Sequence, residues 1–85
     1  MAKASLLLIE HNDRMRSVLG FHLEAIGYKV EGVPDGLQAA RTMRHKLPAL
    51  ILMDDGVPMG GLRTARLLRL HPRHQQIPII LMTDG

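Results

Sequence analysis

Two short apolar runs that each end on acid constrain this chain most: Leu6-Leu7-Leu8-Ile9-Glu10 and Ala49-Leu50-Ile51-Leu52-Met53-Asp54-Asp55. Uniformly apolar runs of this length suit strands covered on both faces, as in the middle of a parallel sheet. Neighbouring parallel strands deliver their carboxyl ends to one edge, and the loops there form the crevice where open α/β sheets bind ligands. Acids brought together at that edge repel one another unless a divalent cation or phosphoryl chemistry makes use of them. The pair therefore predicts the seed of a phosphoryl-accepting site.

The rest of the chain supplies the connections such a sheet needs. Asn12 or Asp13 can cap a helix running to Ala25 or Ile26, with Gly27 as its stop. Met15, Leu19, His22 and Ile26 fall on one stripe of that helix, flanked by Val18 and Leu23, so His22 is expected to be a core or half-buried histidine without chemistry. Tyr28 to Val33 alternates apolar and polar residues, as an edge strand with one exposed face does. Pro34-Asp35-Gly36 turns the chain into a second helix whose apolar side is Leu37, Ala40, Met43 and Leu47, ended by Pro48. The Ala49–Met53 strand should be central. After the turn formers Asp55 to Gly61 come a short helix, roughly Leu62 to Leu70, and a fourth strand, Ile77–Met82. Thr83-Asp84-Gly85 closes the sequence at the same edge as the acids. Strand and helix in alternation imply right-handed crossovers and a parallel sheet with helices on both faces.

Eighty-five residues bound the sequence to one small domain, 1–85, with a thin margin of stability. It contains no cysteine, which excludes disulfides and thiolate metal sites and fits a cytoplasmic location. The apolar runs are too short to span a bilayer, so no membrane role is expected. A net charge of +3 and a pI near 10.0 raise the question of nucleic acid. Arg63, Arg66 and Arg69 share a helix face, but one Phe, one Tyr and no Trp leave little to stack on bases. A solvated surface is the simpler reading, and no nucleic-acid binding is expected of this domain alone. The glycines match no nucleotide-binding fingerprint, and the six methionines have the spacing of core packing.

In order and spacing, several features together resemble the response-regulator receiver domain, the flavodoxin-like phosphoacceptor module of two-component signalling. They are the acidic end of the first strand, Asp13-Arg14-Met15-Arg16, Gly27-Tyr28, Asp35-Gly36, Asp54 at a strand end, Val57-Pro58 with Gly61-Leu62, and Pro78 through Thr83. The resemblance covers the whole chain. It implies a three-layer open parallel sheet of order 2-1-3-4 that stops before the family's last strand and helices. It also implies that Asp54 accepts the phosphoryl group, that Thr83 bonds it, and that magnesium is held by Glu10, His11, Asp54 and the carbonyl of Gly56. The partner so implied is a histidine kinase or phosphotransfer protein, and the domain is a signalling module rather than an enzyme.

Three departures from the family bear on activity. His11 stands where a carboxylate is usual, and imidazole is a poor ligand for magnesium, so the ion should bind weakly. The Pro58-Met59-Gly60-Gly61 turn is one residue shorter and lacks its aspartate. No lysine-bearing fifth strand follows within the sequence. The alternative is therefore a degenerate receiver that serves as a dimerisation or protein-interaction module without phosphorylation. In either case the Ile77–Met82 strand lies at an open margin although its side chains suit a buried one, which predicts a homodimer through that edge.

Overall fold

The computed structural model describes residues 3–83. Four strands, β1 (Ser5–Ile9), β2 (Lys29–Val33), β3 (Leu50–Asp54) and β4 (Ile79–Met82), form one sheet of order β2-β1-β3-β4. All pairings are parallel, with Ile9 beside Val33 and Met53, and Asp54 beside Met82. Three helices connect them: α1 (Asp13–Ala25), α2 (Gly36–His45) and α3 (Gly61–Arg69), with a 3₁₀ turn at Pro72–His74 before β4. The strand order is the one the family resemblance implies, and the central place of β3 is what its apolar run predicts.

Local chemistry sets the helix ends. The Asn12 side-chain oxygen accepts the Met15 N–H at 2.8 Å, and Asp35 accepts the Gln38 N–H at 2.9 Å, each meeting a donor the first helical turn leaves free. At the other end of α1, Gly27 takes a φ of 111°, which a side chain disfavours. The Gly27 and Tyr28 N–H groups then return to the Glu24 and Leu23 carbonyls, the double bond pattern that closes a helix on a left-handed residue.

The layers are unequal. On one face Leu7, Ile9, Ile51 and Met53 pack with Ala39 and Met43 of α2 and Leu68 of α3 in a single buried cluster. On the other face α1 packs mainly on β2 and β1. It covers Leu6 and Leu8 completely, but Leu50, Leu52 and Met82 stay half-buried and Ile80 is 52 % exposed.

That asymmetry corrects several expectations. The stripe Met15, Leu19, His22, Ile26 does not bury: α1 has no buried residue, Ile26 is 73 % exposed, and His22 is on the surface, edge-to-face with Phe21. Only Leu19 and Leu23 of the apolar set are half-buried, because the helix packs mainly on β2, at the margin of the sheet. In α2 the buried residues are Ala39 and Met43, while Leu37 is 63 % exposed, so the helix is rotated from the predicted phase. The fourth strand begins at Ile79: Ile77 is buried outside the ladder with its N–H on the His74 carbonyl, and Pro78 has no N–H to give. Of the methionines, Met43 and Met53 are core, and Met15 and Met59 are exposed.

Candidate functional site

The carboxyl ends of β1 and β3 are adjacent, since Ile9 pairs with Met53, and the next residue on each strand is an acid. Glu10 follows β1 and is only 5 % exposed; its N–H donates to the Val33 carbonyl, and its Oε2 accepts the Asn12 N–H at 3.2 Å. Arg16, one turn into α1, donates from Nη1 to the Glu10 carbonyl at 2.9 Å and from Nη2 to Asp13 Oδ1 at 2.7 Å. The Asp13-Arg14-Met15-Arg16 segment thus clamps the β1–α1 loop, a positioning role its sequence does not announce.

Asp54 ends β3 half-buried. Its Oδ2 accepts the Gly56 N–H at 2.8 Å, and its other oxygen has no hydrogen-bond partner among the described residues. A Cβ on Gly56 would stand 2.7 Å from Oδ2, so a side chain there would push the carboxylate out of this position. Asp55 turns away: its N–H joins the Met82 carbonyl, and its Oδ1 accepts the Gly61 N–H at 3.2 Å, tying the start of the loop to the start of α3. Between them Met59 is held at φ 74°, the only non-glycine residue with positive φ among those described. The shortened turn places backbone strain beside the acceptor strand.

The remaining predicted residues sit less tightly. His11 and Thr83 are exposed, Thr83 directly after β4 and so on the same edge as Asp54. Asp84 and Gly85, expected at that edge, lie outside the described residues. Among the described residues, no three His, Asp or Glu side chains come together as a metal-holding group, so Glu10, His11 and Asp54 do not form the three-residue set predicted for the ion. What the edge does offer a hard cation is two carboxylates at the ends of adjacent strands. Magnesium suits such a set, because it keeps several waters and takes one or two carboxylates.

The comparisons with known proteins agree with this geometry. The family model for the response regulator receiver domain matches residues 6–85. The chain is 36 % identical over 80 residues to the transcriptional regulatory protein AfsQ1 of Streptomyces coelicolor, covering 93 % of this chain and 34 % of that protein. It is 30 % identical over 77 residues to the phosphate regulon transcriptional regulatory protein PhoB of Rhizobium meliloti, again 34 % of its length. The chain therefore spans about a third of these relatives. Among solved structures, the signal receiver domain of a histidine kinase from Syntrophus aciditrophicus superposes with a TM-score of 0.87 at 31 % identity, covering 96 % of this chain and 63 % of that one. The receiver domain of a Pseudomonas aeruginosa sensor histidine kinase, solved with magnesium in its active-site cleft, gives 0.84 at 33 % identity, with 94 % and 66 % covered. An edge built on the ends of β1, β3 and β4, a sheet of order 2-1-3-4 and a family match over nearly the whole sequence lead to one conclusion: this chain belongs to the response regulator receiver domains.

Proposed function

We propose that this receiver is a single cytoplasmic signalling unit that accepts a phosphoryl group on Asp54 from the phosphohistidine of a kinase or phosphotransfer protein. In the transfer the donor's P–N bond breaks and a P–O bond forms to an Asp54 carboxylate oxygen, giving an acyl phosphate. The observation that carries the reading is the placement of Asp54: last residue of the central strand, at the open edge, with one oxygen fixed by the Gly56 N–H and the other free. That leaves a nucleophile oriented without being consumed by its own loop. Thr83, on the neighbouring strand end, supplies a hydroxyl for a phosphoryl oxygen. Glu10, Asp54 and the Gly56 carbonyl are the groups that would hold magnesium, which neutralises phosphoryl charge during transfer. His11 adds no oxygen to that set, so the ion is bound weakly.

Incubation with acetyl phosphate and magnesium should add one phosphoryl mass to the protein, and Asp54→Asn should abolish it. Retention of that mass in the variant refutes the assignment. A second reading, a receiver that works by association alone, is favoured by the missing three-residue metal group and by the engagement of Asp55 with Gly61. On that reading the unmodified wild-type protein already self-associates through β4, and no phosphodonor adds mass.

A further inference from the structure

At the pole opposite Asp54, where α2 and α3 end, the two helices and the Pro72–His74 turn enclose a pocket of about 300 Å³. Its floor is apolar, formed by Ala40 and Met43 of α2 and Leu67 and Leu68 of α3. Its polar lining is wholly basic: Arg44, His71, Arg73 and His74. Between Asp35 and Asp54, and again between Asp55 and Asp84, the sequence has no acidic residue, so no carboxylate on these elements neutralises that charge. The only ion pair among the described residues is the distant Arg16–Asp13, which leaves the Arg44 and Arg73 guanidiniums unpaired.

The two histidines are held in defined and complementary tautomers. His74 is 7 % exposed, and its Nδ1 lies 3.0 Å from the Leu68 carbonyl, which can only accept. The hydrogen of the neutral ring is therefore on Nδ1, and Nε2 is an acceptor. No partner meets Nε2 among the described residues, yet no buried side-chain nitrogen is sealed off without one, so Nε2 is accessible on a residue that lines the pocket. His71 is the reverse: its Nδ1 accepts the Arg73 N–H at 3.1 Å, which puts the hydrogen on Nε2. The rings stack at 4.6 Å between centroids, 21° apart, and Arg69 locks the turn by donating to the His74 carbonyl at 2.6 Å. Arg69 is thus a structural strut rather than part of an exposed basic stripe.

Two unpaired guanidiniums, one ring donor and one ring acceptor above an apolar floor suit one ligand class. A sulfate or a carboxylate offers acceptors only and would oppose the His74 Nε2 lone pair. A phosphate monoester has a second pKa near 6, so at pH 6.5 a minor fraction of it is the monoanion, which carries oxyanions together with one P–OH donor. We propose that this pocket binds a small phosphate monoester, its head held by Arg44, Arg73 and the two histidines and its organic body laid on Met43 and Leu67. The site is separate from the phosphoacceptor edge and does not depend on whether Asp54 is modified.

The test is a titration of the full chain at pH 6.5 with phenyl phosphate, followed by backbone amide chemical shifts. Saturating shifts should appear in the 40–44 and 67–75 segments. The neutral body alone, phenol, should bind at least about tenfold more weakly, as should the Arg44→Ala/Arg73→Ala protein, since charge-assisted bonds to the head are lost in both. Both arginines are exposed and neither guanidinium makes a hydrogen bond among the described residues, and an unchanged circular dichroism spectrum would establish that the variant is folded. Shifts confined to the Asp54–Gly61 loop, or an unchanged affinity in the double variant, overturn the site. Phenyl sulfate binding as tightly as phenyl phosphate overturns the ligand class.

Discussion

Gly36, the first residue of α2, should be intolerant of a single added methyl, and Thr64 is the reason. A Cβ built on Gly36 would stand 2.6 Å from Thr64 Cγ2, well inside ordinary contact. Thr64 cannot retreat: it is 1 % exposed, and its Oγ1 donates to the Gly60 carbonyl at 2.8 Å. Gly36 does not have a positive φ, so the backbone itself would accept alanine, and helix propensity would favour it by up to about 1 kcal/mol. Overpacking of this kind costs about 1–3 kcal/mol, so after the propensity gain Gly36→Ala should lose a net of up to about 2 kcal/mol, as much as roughly 8–16 °C in a domain of this size. Thr64→Ser removes the offending methyl and keeps the hydroxyl bond; alone it should cost about 1 kcal/mol. In the double variant the clash is gone, and the predicted coupling is about 1–2 kcal/mol in favour of the pair. Urea unfolding of the four proteins, compared by midpoint at constant slope, measures it. Effects that simply add, within about 0.5 kcal/mol, would show that the helices move apart freely and that the α2–α3 contact is not close-packed.

Other outcomes follow from the edge and the surface. His11→Asp should strengthen magnesium binding in a metal titration, and an unchanged titration would mean that residue 11 does not face the ion. Light scattering at micromolar concentration should find a homodimer, because β4 is at the open margin with Ile80 half-exposed; a monomer whose unfolding is independent of concentration would refute it. The neighbouring Lys29 holds Lys46 below its ordinary pKa, through the close approach of the two side chains and their like charge. The fold therefore disfavours the charged form, and stability should rise as pH climbs through the lowered value toward the ordinary one. Lys46→Gln should flatten that alkaline rise, and denaturant melts across the range would detect it.

The elements legible in the sequence are those with one dominant cause. β3 is central because every residue from Leu50 to Met53 is apolar, and α1 starts at Asp13 because Asn12 can cap it. Asp54 and Glu10 declare themselves as acids closing apolar runs. Less legible is anything decided by what a face meets. The periodicity of α1 correctly marks an apolar stripe, but the stripe is buried only if something covers β3 and β4 on that side, and α1 alone does not reach. Leu37 outranks Ala39 in hydrophobicity, yet the close approach of Gly36 to Thr64 turns the smaller residue inward. Asp55 closes the same apolar run as Asp54, and only its bond to Gly61 shows that it turns away from the edge. The His71–His74 pair gave no signal at all, because its meaning lies in ring stacking and tautomer rather than in spacing.

The half-covered sheet ties two surfaces into one thermodynamic system. Leu50, Leu52 and Asp54 alternate onto the same side of β3, and Ile80 and Met82 continue that side on β4, one residue before Thr83. A body resting on Leu52 and Ile80 therefore presses on the very strands whose ends carry the acceptor and the hydroxyl. If such a body prefers one setting of those ends, modification of Asp54 must alter its affinity by the same factor that its binding alters the modification equilibrium. The reciprocity needs no dedicated pathway, only the shared stiffness of two short strands.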